Sequence, residues 1–430
     1  MHTSFWPGRP LVQWGLLAYL LEIPFARGLE PWLRDIPLLV VSIGLILGLL
    51  NDRRTERSGP PFELKWPALV FLTSFAIAIA VSEHPDGSLD RAMYLPIGVL
   101  AFFAAQYAFI DVSAFRRLSL VLLGVVLLIG IDGSFQLATG ESLLGHWPSY
   151  AVTNRTRASL PHPNDLSILA LLLPIALVPL RIDTSRWVLG ILGAALSLVV
   201  LTVITSQSRN TWIGLVCGLL VLVVLSRMRK PLLAGAFVGV VLAFVAWSFD
   251  LGQFRDRLAS LGQLGQEGRI GIWLTSLEMW KEHPWFGIGP NLFADFYLDT
   301  LSRTPLPDGY RPELTFIPWA HNLYLEALAE RGAVGLLGFL VIVSAALRRV
   351  GLSLGRRSRG AERDYAVALA ASWAAFLVMG LFDLTFYKDW VWLIFWVLVA
   401  LSARLSTLRV GDAERGQPAP SGKPTSLPAG

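Results

Sequence analysis

The chain has 430 residues, with 36 basic and 31 acidic side chains, so 16% are charged against roughly 25% in an ordinary soluble domain. Apolar residues make up 54% and the mean hydropathy is +0.56. Too little polar surface exists to cover so much apolar side chain in water, which excludes disorder, a coiled coil and a typical soluble enzyme. The net charge of +5 is modest and does not imply nucleic-acid binding.

Taken in chain order, twelve apolar segments are long enough to cross a bilayer as helices, at about 11–26, 36–50, 66–82, 93–110, 118–138, 164–180, 187–205, 211–226, 231–249, 332–347, 364–382 and 390–405. The fold class is therefore all-α and integral to the membrane. The first segment lacks the basic leader and small-residue cleavage site of a signal peptide. The lone cysteine, Cys217, sits in an apolar run and is expected to be buried and inert. With the N-terminus cytoplasmic, the inner loops and termini collect about 22 of the 36 basic residues, so both ends are expected inside. The division reads as 1–249 for nine spans, 250–331 for one large outer loop, 332–408 for three more spans, and 409–430 for a disordered cytoplasmic tail rich in Pro, Gly and Ser.

Three outer segments depart from the lipid pattern. The first, about 139–163, carries Arg155 and Arg157. The second is the joint Ser206-Gln-Ser-Arg-Asn210 between two spans. The third is the long stretch from Asp250 to Gly332. Within it, Ile270, Trp273, Leu274, Leu277 and Trp280 recur on one helical face, and Thr275, Glu278, Lys281 and Glu282 lie opposite. This predicts an amphipathic helix over Arg269 to Glu282 lying in the interface, ended by Pro284 and a turn at Gly287–Pro290. Further on, Pro318 can open a helix and Gly332 can end or kink it. On that helix His321, Tyr324, Leu325 and Leu328 share a face, with Asn322, Glu326 and Glu330 on the neighbouring stripe.

Among the charges, Arg209 stands alone between two apolar runs. It either snorkels from a span end or clamps an anion with its planar guanidinium. Arg269 begins a helix, where a cation is slightly unfavourable, which favours a ligand role. Arg155, Arg157 and Arg91 are weaker candidates of the same kind. A lone histidine is more often a packed or capping one, but His321 also suits a general base at neutral pH. There is no zinc spacing, no Asp-x-Asp pair, no P-loop and no nucleophile elbow, so neither a metal cofactor nor a nucleotide donor is expected. Outer arginines beside a histidine fit glycosyl transfer from a lipid-linked diphosphate, the leaving group being stabilised by cations.

Several motifs together resemble the O-antigen ligase and O-antigen polymerase superfamily of bacterial membrane glycosyltransferases. They are Ser206-Gln-Ser-Arg-Asn-Thr-Trp212, Gly268-Arg-Ile-Gly-Ile-Trp273, Met279-Trp-Lys-Glu-His-Pro-Trp-Phe-Gly-Ile-Gly-Pro-Asn-Leu-Phe293 and Ala320-His-Asn-Leu-Tyr-Leu-Glu-Ala-Leu-Ala-Glu-Arg-Gly-Ala-Val-Gly335. The resemblance implies an inner-membrane enzyme that takes a glycan from undecaprenyl diphosphate on the periplasmic face, without metal or cofactor, and inverts the anomeric centre. It implies lipid A–core as the ligase's acceptor. It maps the essential arginines onto Arg209 and Arg269 and the histidine onto His321, with Arg155, Arg157, Arg91, Asn322, Tyr324, Glu326 and Trp273 as further substrate-binding candidates. Ligase is favoured over polymerase and protein O-oligosaccharyltransferase because the chain is compact. A twelve-helix transporter or flippase is the reading from another class; it would show internal repeats and mid-bilayer charges, and neither is evident.

Overall fold

The structure, a computed structural model, describes residues 8–25, 31–54, 62–89, 94–145, 148–149, 155–181, 186–226, 229–251, 254–259, 269–310, 312, 314–355 and 360–415. Among these residues the fold is all-helical and forms no strand. The α-helices in chain order are α1 (Gly8–Leu21), α2 (Pro31–Arg54), α3 (Lys65–Ala80), α4 (Pro85–Leu89), α5 (Tyr94–Ala108), α6 (Val112–Thr139), α7 (Ile168–Ala176) and α8 (Arg186–Thr205). They continue as α9 (Arg209–Leu225), α10 (Arg229–Ser248), α11 (Phe254–Ala259), α12 (Arg269–Glu282), α13 (Phe293–Arg303), α14 (Leu323–Leu354), α15 (Gly360–Gly380) and α16 (Asp389–Arg415). Among the described residues, most of each of the twelve apolar segments read from the sequence is helical. By length and composition, α6, α14 and residues Asp389–Ser406 of α16 are each able to cross a membrane, and shorter apolar helices accompany them.

α16 is the central helix. Its residues from Val391 to Leu401 are all buried. Trp392, Phe395 and Trp396 mesh with Phe71 of α3, Phe339 of α14 and Trp373 of α15 at ring separations of 5.7–6.0 Å where they meet. At the periphery the pattern inverts. α10 leaves Phe237, Val240 and Phe244 more than 60% exposed. So many large exposed apolar side chains on one helix fit a lipid solvent and not water.

α14 is kinked at Gly332, whose backbone (φ 64°, ψ −168°) is non-helical. The kink exchanges hydrogen bonds. Ala333 and Val334 would normally donate to the carbonyls of residues 329 and 330. They donate instead to the carbonyls of Pro284 (2.8 Å) and Trp285 (3.1 Å), and the released carbonyls of Ala329 and Glu330 accept from Ile288 and Gly289, each at 3.0 Å. The approach is too close for a side chain on either partner. A Cβ on Gly332 would lie 2.3 Å from the Trp285 carbonyl, and one on Gly287 would lie 2.2 Å from Glu330. Both glycines also have positive φ.

Five expectations are corrected. The segment at 164–180 is not one helix but a 3₁₀ turn (Pro163–Ser167), α7 and a second 3₁₀ turn (Val178–Arg181). Helix α14 opens at Leu323 and not at Pro318, because Asn322 caps it, accepting from the amides of Tyr324 and Leu325. His321 therefore lies off the helix face, in the left-handed conformation at φ 49°. On α12 the packed face is Gly271, Ile272, Thr275, Ser276 and Met279, so Thr275 is buried and not solvated; the larger Trp273, Leu274 and Leu277 are half-buried. In addition, α16 runs on to Arg415, past the expected start of the tail, and Cys217 is half-buried.

Candidate functional site

The polar groups of the three unusual segments meet at one end of the helices, where α6, α8 and α15 finish and α9, α12, α14 and α16 begin. Two side chains near the end of α6 hold the first segment in place. Asp132 accepts from Ser142 and from the amides of Leu143 and Leu144. One turn on, Gln136 accepts from the amides of Arg157 and Ala158, both at 2.9 Å.

His321 lies at the centre. Its Nδ1 is 2.6 Å from Oδ1 of Asp383, in the joint between α15 and α16. An ionised carboxylate only accepts, so Nδ1 carries the proton and Nε2 is left to take one. The histidine side chain is 25% exposed and the aspartate 2%. The other Asp383 oxygen accepts from Nδ2 of Asn164 at 2.5 Å. Oδ1 of Asn164 accepts from Nη2 of Arg155 at 2.7 Å, and Nε of Arg155 donates to the carbonyl of Ser206 at 2.7 Å. One chain of hydrogen bonds thus links the histidine, the aspartate, the first loop and the joint that carries Arg209.

Burial alone would push the Asp383 carboxyl up. The Lys388 charge, the His321 hydrogen bond and the Arg269 charge outweigh it and hold the group well below the usual carboxylate range. Lys388 is itself enclosed, 2.9 Å from Asp165 and with its ammonium over the Trp319 ring at 5.6 Å. Burial would lower its pKa, but Asp165 and Asp383 raise it. His162 caps the 3₁₀ turn by accepting from the Asn164 amide, while Asp165 accepts from the His162 amide. Burial, with help from Lys388 and Arg155, pushes His162 down to about 4. At neutral pH His162 is therefore uncharged and Asp383 ionised.

Arg209 is buried and opens α9, one turn beyond the Ser206 carbonyl that Arg155 holds. Arg269 is half-buried at the start of α12, where the Tyr310 hydroxyl accepts from the Gly271 amide at 2.8 Å, and its charge reaches Asp383. His321, Arg269 and Arg155 are therefore brought together, and Arg209 stands in the adjoining turn. The other candidates behave differently. Arg157 donates to the carbonyls of Pro148 and Pro161, which ties down its own loop. Asn322 caps α14 and donates to the Leu381 carbonyl. The Tyr324 hydroxyl donates to the Leu377 carbonyl. Glu326 is 1% exposed, inside the kinked part of α14. Trp273 is half-buried on α12. Arg91 lies outside the described residues. Sequence reasoning missed Asp383, Lys388, Asn164 and Asp165. One signal was available for the first two: they are charges in a short joint between apolar runs, the same argument that singled out Arg209.

The bundle of apolar helices is that of a multi-pass membrane protein, and at one end it sets the part-exposed His321 against the buried Asp383 among cationic side chains. Residues 168–340 match the family model described as O-Antigen ligase. The chain is also 28% identical, over 205 residues, to an O-antigen ligase of Pseudomonas aeruginosa (strain PAO1); the alignment covers 46% of this chain and 43% of that relative. The chain thus spans less than half the length of the curated relative it matches. Both findings mark the O-antigen ligase superfamily as what this chain is similar to.

Proposed function

We propose that this protein is an O-antigen ligase of the bacterial inner membrane, moving a glycan from undecaprenyl diphosphate to lipid A–core on the periplasmic face. In this reading about twelve helices span the bilayer with both termini cytoplasmic. The stretch 250–331 is the periplasmic loop, and 409–430 is the cytoplasmic tail.

The observation that carries the reading is the His321–Asp383 pair set among Arg155, Arg269 and Lys388, with Arg209 in the adjoining turn. Nε2 of His321 takes the proton from the acceptor hydroxyl. That oxygen attacks the anomeric carbon as the bond to the diphosphate oxygen breaks. Asp383 holds the imidazole in the productive tautomer and stabilises the imidazolium that forms. Undecaprenyl diphosphate departs with its charge met by Arg209 and Arg269, in a site where fixed cations act in a low dielectric. Direct attack inverts the anomeric centre.

Reconstitution with an undecaprenyl-diphosphate glycan and two competing acceptors tests this. The expected product is glycan on lipid A–core. Extension of a second lipid-linked repeat would instead make the protein a polymerase. No transfer to either acceptor would sink the enzyme reading in favour of transport.

A further inference from the structure

The joint that carries Asp383 and Lys388, residues 381–388, has no regular structure of its own. Asp383 reaches His321 across 62 residues of sequence, and a loop placed loosely could not keep that contact at 2.6 Å. Something must hold the joint, and α14 offers an unusual grip. Glu326 and Glu330 lie one turn apart just before the Gly332 kink, 1% and 0% exposed. Two carboxylates so placed in an apolar bundle are costly unless they are bonded.

Glu330 finds its partner on the joint. The Tyr387 hydroxyl donates to Oε2 of Glu330 in a short hydrogen bond. That hydroxyl also accepts from the Asn291 amide at 2.6 Å, and Oε1 of Glu330 accepts from the Phe293 amide at 3.2 Å. Among the described residues, the buried Oε2 of Glu326 has no hydrogen-bond partner. The Thr385 hydroxyl accepts from the Tyr387 amide at 3.1 Å. Arg331 supplies the compensating charge, with its guanidinium 5.0 Å from the Phe75 ring and 5.6 Å from that of Phe386. The joint is thus gripped at Tyr387 from α14 and braced internally by Thr385, while Asp383 and Lys388 on either side point to His321 and Asp165.

We infer that Glu330 is a positioning residue for the reaction: through Tyr387, which Thr385 braces, it fixes the α15–α16 joint, and so the place of Asp383 against His321. It touches no substrate and acts only through the joint. The same carboxylate, Glu330, also anchors the amide of Phe293, so the α12–α13 connection and the joint are set from one point on α14. This inference rests on His321 and Asp383 being the reacting pair.

The test uses the full chain in nanodiscs with the lipid-diphosphate glycan donor and its acceptor. Thr385→Val and Tyr387→Phe each remove one hydroxyl with little change of shape, and Thr385→Ser restores the first. The expected result is a kcat lowered roughly ten- to a hundredfold in the Val and Phe variants, the scale set by misplacing a reacting group. Donor KM and melting temperature should stay near wild type, and Thr385→Ser should recover most of the rate. Unchanged kcat in both variants would overturn the inference. So would a rate loss that only follows the loss of folded protein and is not recovered by serine. His321→Ala is the control for the underlying reading: if it remains active, the reading of the pair fails regardless of how the joint variants behave.

Discussion

Asp383 and Asn164 show what single residues contribute. Asp383 contacts His321 directly, and the half-buried Asn164 ties Asp383 to Arg155. Asp383→Asn would keep the volume but put an amide where the carboxylate accepts from Nδ1. The prediction is a kcat reduced by at least about a hundredfold with donor affinity retained, since only the tautomer and the imidazolium lose support; near-normal kcat would remove Asp383 from the mechanism. Arg209→Ala and Arg269→Ala should each abolish transfer in protein that remains folded in the membrane, and wild-type activity in both would sink the diphosphate assignment. His162 gives a stability prediction. An unfolded histidine titrates near 6.5, while His162 in the fold is held down to about 4. Between these values the unfolded chain binds the proton that the native state refuses, so stability falls as pH drops from about 6.5 to about 4. His162→Asn keeps an acceptor for the Asn164 amide but does not titrate. Its melting temperature should change less between pH 7 and pH 4.5 than that of wild type; equal pH dependence would refute the assignment. Among the candidates, Arg209 was legible because its charge stands between apolar runs, Arg269 because a cation opens its helix, and His321 because its side chain suits a base and lies in the motif shared with the superfamily. Asn164 was not legible, because its meaning lies in a partner 219 positions away.

At the scale of elements, periodicity and apolar length carried far. The amphipathic pattern at 269–282 coincides with α12, and most of each apolar run is helical among the described residues. The face that packs was not readable from the pattern, because small residues let α12 approach α14 closely while its larger apolar residues are left half-buried. The start of α14 was likewise misplaced: proline is permissive at a first turn, but the Asn322 cap decides the boundary. Gly332 was legible as a kink. What the sequence could not give was its partner, the turn at Pro284 to Gly289 that takes over four hydrogen bonds. This makes a specific contrast within one helix. Gly332→Ala adds a Cβ at φ 64° and 2.3 Å from the Trp285 carbonyl, whereas a Cβ on Gly351 meets nothing within 4 Å. The first should cost about 2 kcal/mol or more. The second should be neutral or slightly stabilising, through helix propensity. Thermal unfolding in one detergent compares them directly, and equal melting temperatures would mean that the kink is not strained by a side chain.

For the whole molecule, the question is which end faces which compartment. The site end gathers His321, Asp383, Arg155 and Lys388. The opposite end is also charged but differently arranged. There Arg349 pairs with Glu63 at 2.9 Å, Arg404 donates to the Gln106 carbonyl and Arg117 to Gln13. These arginines are fixed by groups of the same end, as expected for residues that set orientation and not chemistry. The six basic residues from Arg348 to Arg363 lie between α14 and α15 or at their ends there, which adds to the bias. The positive end should therefore be cytoplasmic and the site end periplasmic. Cys217 is the sole cysteine, so a Cys217→Ala background allows single labels. Asp308, exposed in the turn before His321, and Ser406, exposed towards the other end of α16, make a suitable pair. In cells with a permeabilised outer membrane, an impermeant maleimide should label Asp308→Cys and leave Ser406→Cys unlabelled until the inner membrane is broken. The reverse pattern would put His321 in the cytoplasm. A donor presented on the periplasmic face could not reach it there, and the ligase reading would fail with the topology.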